Sequence, residues 1–224
     1  MFQKVVEQIR PWSDSEWKTW ENFVDKEYGI KKEAMDQNHF FLYIIPKVVV
    51  LHGFGDPLLD RKLASRVNML SKKGIGTYFS CNPSNISVKK NIEMMESGLD
   101  YLKYSIDSID NVTHKKLRGT ASNYTKAYEK IMKTLEEKEK RKLKTNVVIT
   151  MIDLQRPTQM EEWTQLQEVF KGSNVYIYLK SQDQTWYDDI QGKKDLHAAS
   201  GKSVDWSEFC HFPWSSFAVK SNGE

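Results

Sequence analysis

Cysteine is scarce in this chain: there are two in 224 residues, Cys81 and Cys210, far apart in sequence. That scarcity excludes a disulfide scaffold, and no short-spaced cysteine metal motif occurs anywhere. Long apolar runs are missing as well, since nothing approaches the roughly 20 residues that span a bilayer. The opening Met1-Phe-Gln-Lys-Val-Val-Glu-Gln-Ile9 lacks the charged-then-apolar layout of a secretory leader, so the expected location is cytoplasmic. Neither sign of charge dominates. A net charge of +3 argues against nucleic acid or an anionic membrane as a partner. At 39% hydrophobic and 28% charged residues, the composition is that of a globular protein with one substantial core, or one core and a small appendage.

What is present centres on Lys47 to Asp60. Val48 to Leu51 is an unbroken apolar run, as in a strand buried on both faces of a parallel sheet. Gly53, Gly55 and Pro57 then turn the chain, and Leu59, Leu63, Val67 and Leu70 follow at helical spacing. Strand, Gly-rich turn and helix together place backbone N–H groups at the carboxyl edge of a sheet, where α/β proteins bind ligands. Taken alone, Gly-Phe-Gly-Asp-Pro is equally a plain tight turn.

The pattern repeats along the chain. Strands are expected at Ile75–Ser80, Tyr101–Ile106, Asn146–Met151 and Asn174–Leu179. Between them come a helix carrying Val88, Ile92 and Met95, one carrying Tyr124 to Leu135, and one with Met160, Trp163, Leu166 and Phe170 inward. Such alternation implies a parallel sheet with right-handed crossovers. Ahead of it, Phe2, Val5, Val6 and Ile9 mark one amphipathic helix, and Ser13 with Glu16 is a capping box opening a second that Gly29 stops. Its neighbours Trp12, Trp17 and Trp20 either form a binding surface or pack that helix onto a core. Phe40 to Ile45 is β-prone and is expected to be extended, covering the edge of the strand at Val48. The expected divisions are a helical lead-in over 1–46, a partial barrel over 47–180, and a polar linker with a further segment over 181–224. The last holds Trp206 to Trp214 and an expected strand at Ser216–Lys220.

Three polar sets fall at the carboxyl ends of successive strands: Gly55-Asp-Pro57, Ser80-Cys-Asn82 and Ser105-Ile-Asp107. Within the second and third, polar residues are two apart and share one face of a strand. Ser105 and Asp107 can offer a hydroxyl and a carboxylate to a ribose diol, or they can simply cap a helix or form a turn. Arg118 can clamp a carboxylate or lie at the surface.

Taken together, these motifs resemble the radical S-adenosylmethionine superfamily. Phe54-Gly-Asp-Pro57 looks like its Gly-Gly-Glu-Pro motif, and Ser80-Cys-Asn82 its Ser-Thr-Asn. Tyr104-Ser-Ile-Asp107 resembles its ribose-contacting strand, and His114 to Gly119 the His-x-x-x-Arg-Gly that follows. His52-Gly-Phe-Gly-Asp-Pro-Leu-Leu59 and Cys210-His-Phe-Pro-Trp214 resemble members with a SPASM extension. The resemblance implies an α/β fold, a partial (β/α) barrel of parallel strands (an incomplete TIM-like barrel) with the start of a C-terminal SPASM extension. It implies S-adenosylmethionine held by the loop of Gly55, Asp56 and Pro57 and by Ser80 and Asn82, with Ser105 and Asp107 on the ribose and Arg118 on the carboxylate. It also implies an iron–sulfur cluster in the parent, an electron donor, and a peptide or small-molecule substrate from which a hydrogen is abstracted. Cys210 would be the first ligand of an auxiliary cluster in that parent.

The sequence departs from the family in one decisive way. The Cys-x-x-x-Cys-x-x-Cys that holds the family's cluster is absent, and thiolates are what hold such clusters. Asp56 also stands where Glu is usual, one methylene shorter. The chain is therefore expected either to be a fragment, with Met1 inside a longer reading frame, or a cluster-free degenerate homologue that binds a nucleoside or a peptide. In both cases it is expected to hold no cluster itself.

Overall fold

The computed structural model describes residues 2–30, 36–53 and 55–181. Five strands lie within them: β1 (Val48–Val50), β2 (Gly76–Cys81), β3 (Tyr101–Ser105), β4 (Asn146–Asp153) and β5 (Val175–Ser181). They form one sheet in the order β1-β2-β3-β4-β5, with every neighbouring pair parallel. The helices are α1 (Phe2–Gln8), α2 (Asp14–Tyr28), α3 (Gln37–His39), α4 (Leu63–Ser71), α5 (Val88–Glu96), α6 (Asn111–Arg118), α7 (Tyr124–Lys140) and α8 (Gln159–Val169). The fold is α/β, and among the described residues the sheet is open, β1 and β5 each having one strand partner. No helix among them is long and apolar enough to cross a membrane.

Sequential strand order fixes where the helices go. Each strand joins the neighbour that follows it in sequence, and right-handed crossovers then put all the connecting helices on the same face. Phe79, Cys81, Leu102, Tyr104, Ile149 and Met151 point to that face and pack with Val67 of α4, Ile92 of α5, Ile131 of α7 and Leu166 of α8. The alternate residues Tyr78, Val148, Tyr176 and Tyr178 point the other way. That second face would be bare without a cover.

The cover is the run Phe40–Ile44, which the sequence reads as extended and the structure does not. It is a π-helical turn continuing α3, followed by a 3-10 turn over Ile45–Lys47. Asp36 starts it, its carboxylate accepting from the backbone N–H of His39 at 2.8 Å. The spacing of burial explains the outcome. Phe40 and Ile44, four apart, face the sheet tyrosines, while Leu42 and Tyr43 face Val24 of α2. Only a helical turn presents two such faces within five residues. The Trp20 indole donates to the Leu42 carbonyl at 2.6 Å, so this tryptophan packs α2 onto the turn. Val48 of β1 packs against this run, while Val50 is 40% exposed.

Smaller differences have local causes. α4 begins at Leu63 because Pro57–Leu59 forms a 3-10 turn first, leaving Leu59 exposed. Met160 is exposed, and Gln159 and Glu162 turn inward instead. α6, not read from the sequence, is capped by Asp110, whose carboxylate accepts the Thr113 N–H at 2.7 Å. The capping box of Ser13 and Glu16 and the left-handed Gly29 bound α2 as expected. The linker, Cys210, the expected strand at Ser216–Lys220, and Phe54 all lie outside the described residues.

Phe40 is fully buried among Tyr78, Tyr101, Tyr176 and Tyr178, with ring centroids 5.4–6.4 Å away. Phe40→Ala is expected to cost ~3–5 kcal/mol in urea unfolding, the range for truncating a packed aromatic. A cost under ~1 kcal/mol would mean that this turn does not cover the sheet.

Candidate functional site

The loops after β1, β2 and β3 meet at the carboxyl edge of the sheet, above the Phe40 turn. They enclose a cavity of about 520 Å³ whose walls include Gly55, Asp56, Ser80, Asn82, Ser105 and Arg118. This volume lies within the ~300–1,000 Å³ typical of small-molecule sites. The loop residues expected from the sequence are thus brought together, with Asp107 joined through Arg118 and Pro57 buried at the start of its 3-10 turn.

Asp56 braces two of the loops. One carboxylate oxygen accepts from the Leu58 N–H at 2.9 Å and the other from the Asn82 N–H at 2.7 Å. The shorter side chain therefore spans from the β1 loop to the β2 loop. Asn82 in turn caps its own turn, accepting from the Ser84 N–H at 3.1 Å. Ser80 and Ser105 hydroxyls lie 3.4 Å apart across the β2–β3 pair.

Asp107 is held at three points. Its side chain accepts from the Ile152 N–H at 3.1 Å and forms an ion pair with Arg118, both partners being largely buried. Its carbonyl accepts from the Arg156 guanidinium at 2.8 Å. Arg156 is fixed by Glu162 at 2.6 Å, and Glu162 also accepts from the Ser108 hydroxyl, the Ile109 N–H and the Thr158 hydroxyl. Burial raises the Glu162 pKa, but these hydrogen bonds outweigh it and hold the carboxyl below its ordinary value. Neither Arg156 nor Glu162 is visible as a site residue in the sequence, being about 50 residues from Asp107.

Three further cavity residues were given no site role from the sequence: His52, Asn85 and Lys103. His52 Nδ1 accepts the Ser80 N–H at 3.1 Å, which places the ring proton on Nε2. Lys103 did carry a signal: it precedes Ser105 and Asp107 at the same two-residue spacing, on the same face of β3.

The cavity's residues do not suit an iron–sulfur cluster. Cys81 is buried on the helix side of β2, and its Sγ donates to the Lys103 carbonyl at 3.7 Å. Burial, with help from Asp56, pushes its thiol far above the usual range, so it stays protonated. Among the described residues, no three His, Cys, Asp or Glu side chains cluster as metal ligands. Cys210 lies outside them, and two cysteines in the whole chain are too few for a four-iron cluster.

Burial, then the charge of Lys103, lowers the His52 pKa from 6.5 to about 4. As pH falls through 6.5 the unfolded chain binds this proton and the folded chain does not, so folding stability falls down to about pH 4. Wild type should lose about 3 kcal/mol more than His52→Gln over that window, measured by denaturant unfolding. Equal losses in the two proteins would place His52 in water.

A family model described as the radical SAM superfamily matches residues 24–166 of the chain. No curated protein matches it by sequence. Among solved structures it is similar to TYW1 with a lysine-pyruvate adduct bound, at 18% identity and a TM-score of 0.46, covering 82% of this chain and 55% of that one. An archaeal TYW1 matches at 17% identity and a TM-score of 0.44, over 80% and 56% of the two chains. Coproporphyrinogen III oxidase (HemN) from Escherichia coli, a radical SAM enzyme, matches at 15% and 0.42, over 63% and 33%. The chain spans about half the length of the TYW1 structures it matches. On the family match, which takes in Asp56, Asn82, Ser105, Asp107 and Arg118, the chain belongs to the radical SAM superfamily.

Proposed function

We propose that the cavity at the carboxyl edge of the sheet binds S-adenosylmethionine for a radical SAM enzyme of the SPASM type, of which these residues form the nucleoside-holding part. What supports the reading is the convergence of Asp56, Asn82, Ser105 and Arg118 on one cavity in a chain of this family. In this reading Ser105 and Asp107 take the ribose diol, and Arg118 takes the ligand's carboxylate. Asp107 and Arg118 are paired with each other, and in this reading binding exchanges their ion pair for two ligand contacts. Each Asp56 oxygen accepts one backbone N–H and keeps a lone pair for the ligand's amino group.

The activity proposed for the parent enzyme is reductive cleavage of S-adenosylmethionine and abstraction of a hydrogen from a peptide or small-molecule substrate. These 224 residues do not hold the thiolates for the cluster which that cleavage requires. A second reading, a cluster-free module that binds a nucleoside, is favoured by the protonated state of Cys81. Both readings share the rim, and the location proposed with either is the cytoplasm.

Calorimetry with S-adenosylhomocysteine tests the rim. Asp107→Ala should weaken binding about tenfold or more, the effect of losing a charge-assisted hydrogen bond. A melting temperature measured alongside separates this from loss of fold. No binding to the wild-type chain, or equal binding to the variant, would refute the assignment. Anaerobic reconstitution with iron and sulfide should yield no stoichiometric four-iron cluster. Four irons per chain would show that thiolate scarcity is not the constraint argued for.

A further inference from the structure

A buried imidazole beside the rim has no task in the nucleoside reading. His114 stands on α6 one turn before Arg118, so the two side chains share a face of that helix. Helical side chains lean toward the N-terminus, which carries the Arg118 guanidinium back over the turn of His114 and onto Asp107. The His114 ring is fully buried and meets Tyr124 of α7 edge-on at 6.4 Å. Neither ring nitrogen has a hydrogen-bond partner among the described residues. An imidazole left unsatisfied at such depth costs stability, and so calls for a reason.

We propose that His114 is a positioning residue that takes up a proton and becomes the counter-ion of Asp107 when Arg118 turns to the ligand's carboxylate. The inference rests on the nucleoside reading of the rim, in which Asp107 is left facing a neutral ribose diol. Charge balance argues for it. Among the described residues the buried Asp107 side chain is ion-paired with Arg118 alone. Moving that cation to the ligand strands an anion in a site largely closed to water, which is unfavourable unless another cation replaces it. Arg156 is already committed: its guanidinium holds the Asp107 carbonyl and is paired with Glu162. Glu162 reaches the loop through the Ser108 hydroxyl and the Ile109 N–H, and Asp110 is engaged with the Thr113 N–H. The Tyr124 phenol stays neutral, its pKa raised by burial and by Tyr128, and Lys115 and Lys116 of α6 are exposed. His114 is thus the group placed to supply positive charge. Its state in the ligand-free chain agrees. Burial, the largest effect, holds its pKa below the ordinary value, and Arg118 pushes the same way. Asp107 pulls it up, as does the Ser108 carbonyl, which lies toward the ring without completing a hydrogen bond. Withdrawal of Arg118 removes the opposing charge and leaves the attracting one.

The test is calorimetry of S-adenosylhomocysteine binding in two buffers of different ionisation enthalpy, which counts the protons taken up. The His114 ring nitrogens are followed by NMR in a chain with isotope-labelled histidines. Binding to wild type should take up a fraction of a proton near neutral pH. The complex then holds a proton that the free chain lacks, so affinity should rise as pH falls, by about threefold or more from about pH 8 to about pH 6. In His114→Gln, which keeps a polar group but cannot be charged, uptake and pH slope should both vanish. Both should persist in His52→Gln, which removes the cavity's own imidazole. In ligand-free Arg118→Gln the His114 ring should titrate at a higher pH than in wild type. Wild-type binding without proton uptake would overturn the proposal and leave the rim reading standing, with no variant needed. So would uptake that persists in a folded His114→Gln or disappears in His52→Gln, or a folded Arg118→Gln whose ring titrates as in wild type. No binding of S-adenosylhomocysteine to wild type would take down the rim reading and this inference with it.

Discussion

One constraint shapes this molecule: a parallel sheet built in sequential order puts its crossover helices on one face and leaves the other to be covered by something else. The helix-covered face reads as an ordinary core, made of Leu102, Ile149, Met151 and their helix partners. The second face is divided. Its lower part is aromatic and closed by Phe40; its upper part is polar and open to ligand. The boundary falls within single strands, where Tyr78 gives way to Ser80 and Tyr101 to Lys103. The same alternation that builds the core therefore builds the cavity, and a one-residue slip in β2 or β3 would destroy both.

Above that boundary the polar groups are held before any ligand arrives. Asp56 ties two loops together through two backbone N–H groups, and Asp107 is gripped by Ile152, Arg118 and Arg156. The Arg156–Glu162 pair is mostly buried, and such a pair earns little net stability against two apolar residues of the same volume. What it does here is orient the carbonyl of Asp107. Four donors converge on Glu162, so the loop after β3 has one arrangement rather than several.

Much of this was legible in the sequence. Apolar runs located all five strands to within about two residues, and of the polar pairs two apart Ser80, Asn82 and Ser105 border the cavity. Phe40–Ile44 was misread because composition reports β-propensity, whereas the outcome was decided by which partners flank the segment: tyrosines on one side and α2 on the other. Arg156 and Glu162 were invisible for a related reason. Their partners come from across the fold, and nothing in the local pattern of Gln155-Arg-Pro157 or Glu161-Glu-Trp163 distinguishes them from surface charges. His52 could have been found, since a histidine at the end of an apolar strand beside a Gly-rich turn is placed for a ligand.

Cys81 shows how far parity alone can carry a chemical argument. It sits between Ser80 and Asn82, all three border the cavity, and a motif reading groups them. In a strand, however, the middle residue of three must turn its back on the other two. The thiol enters the apolar layer among Leu102 and Tyr104. Loss of its proton there would bury an anion against hydrocarbon, which is why burial drives its pKa so far up. A cluster ligand has the opposite needs: a thiolate, open to the metal, with others close by. The geometry that makes Ser80 and Asn82 candidates for a nucleoside thus removes their neighbour from redox chemistry. What remains at this rim is hydrogen bonding and charge, which in the proposed reading orient an adenosylated ligand without supplying its electron.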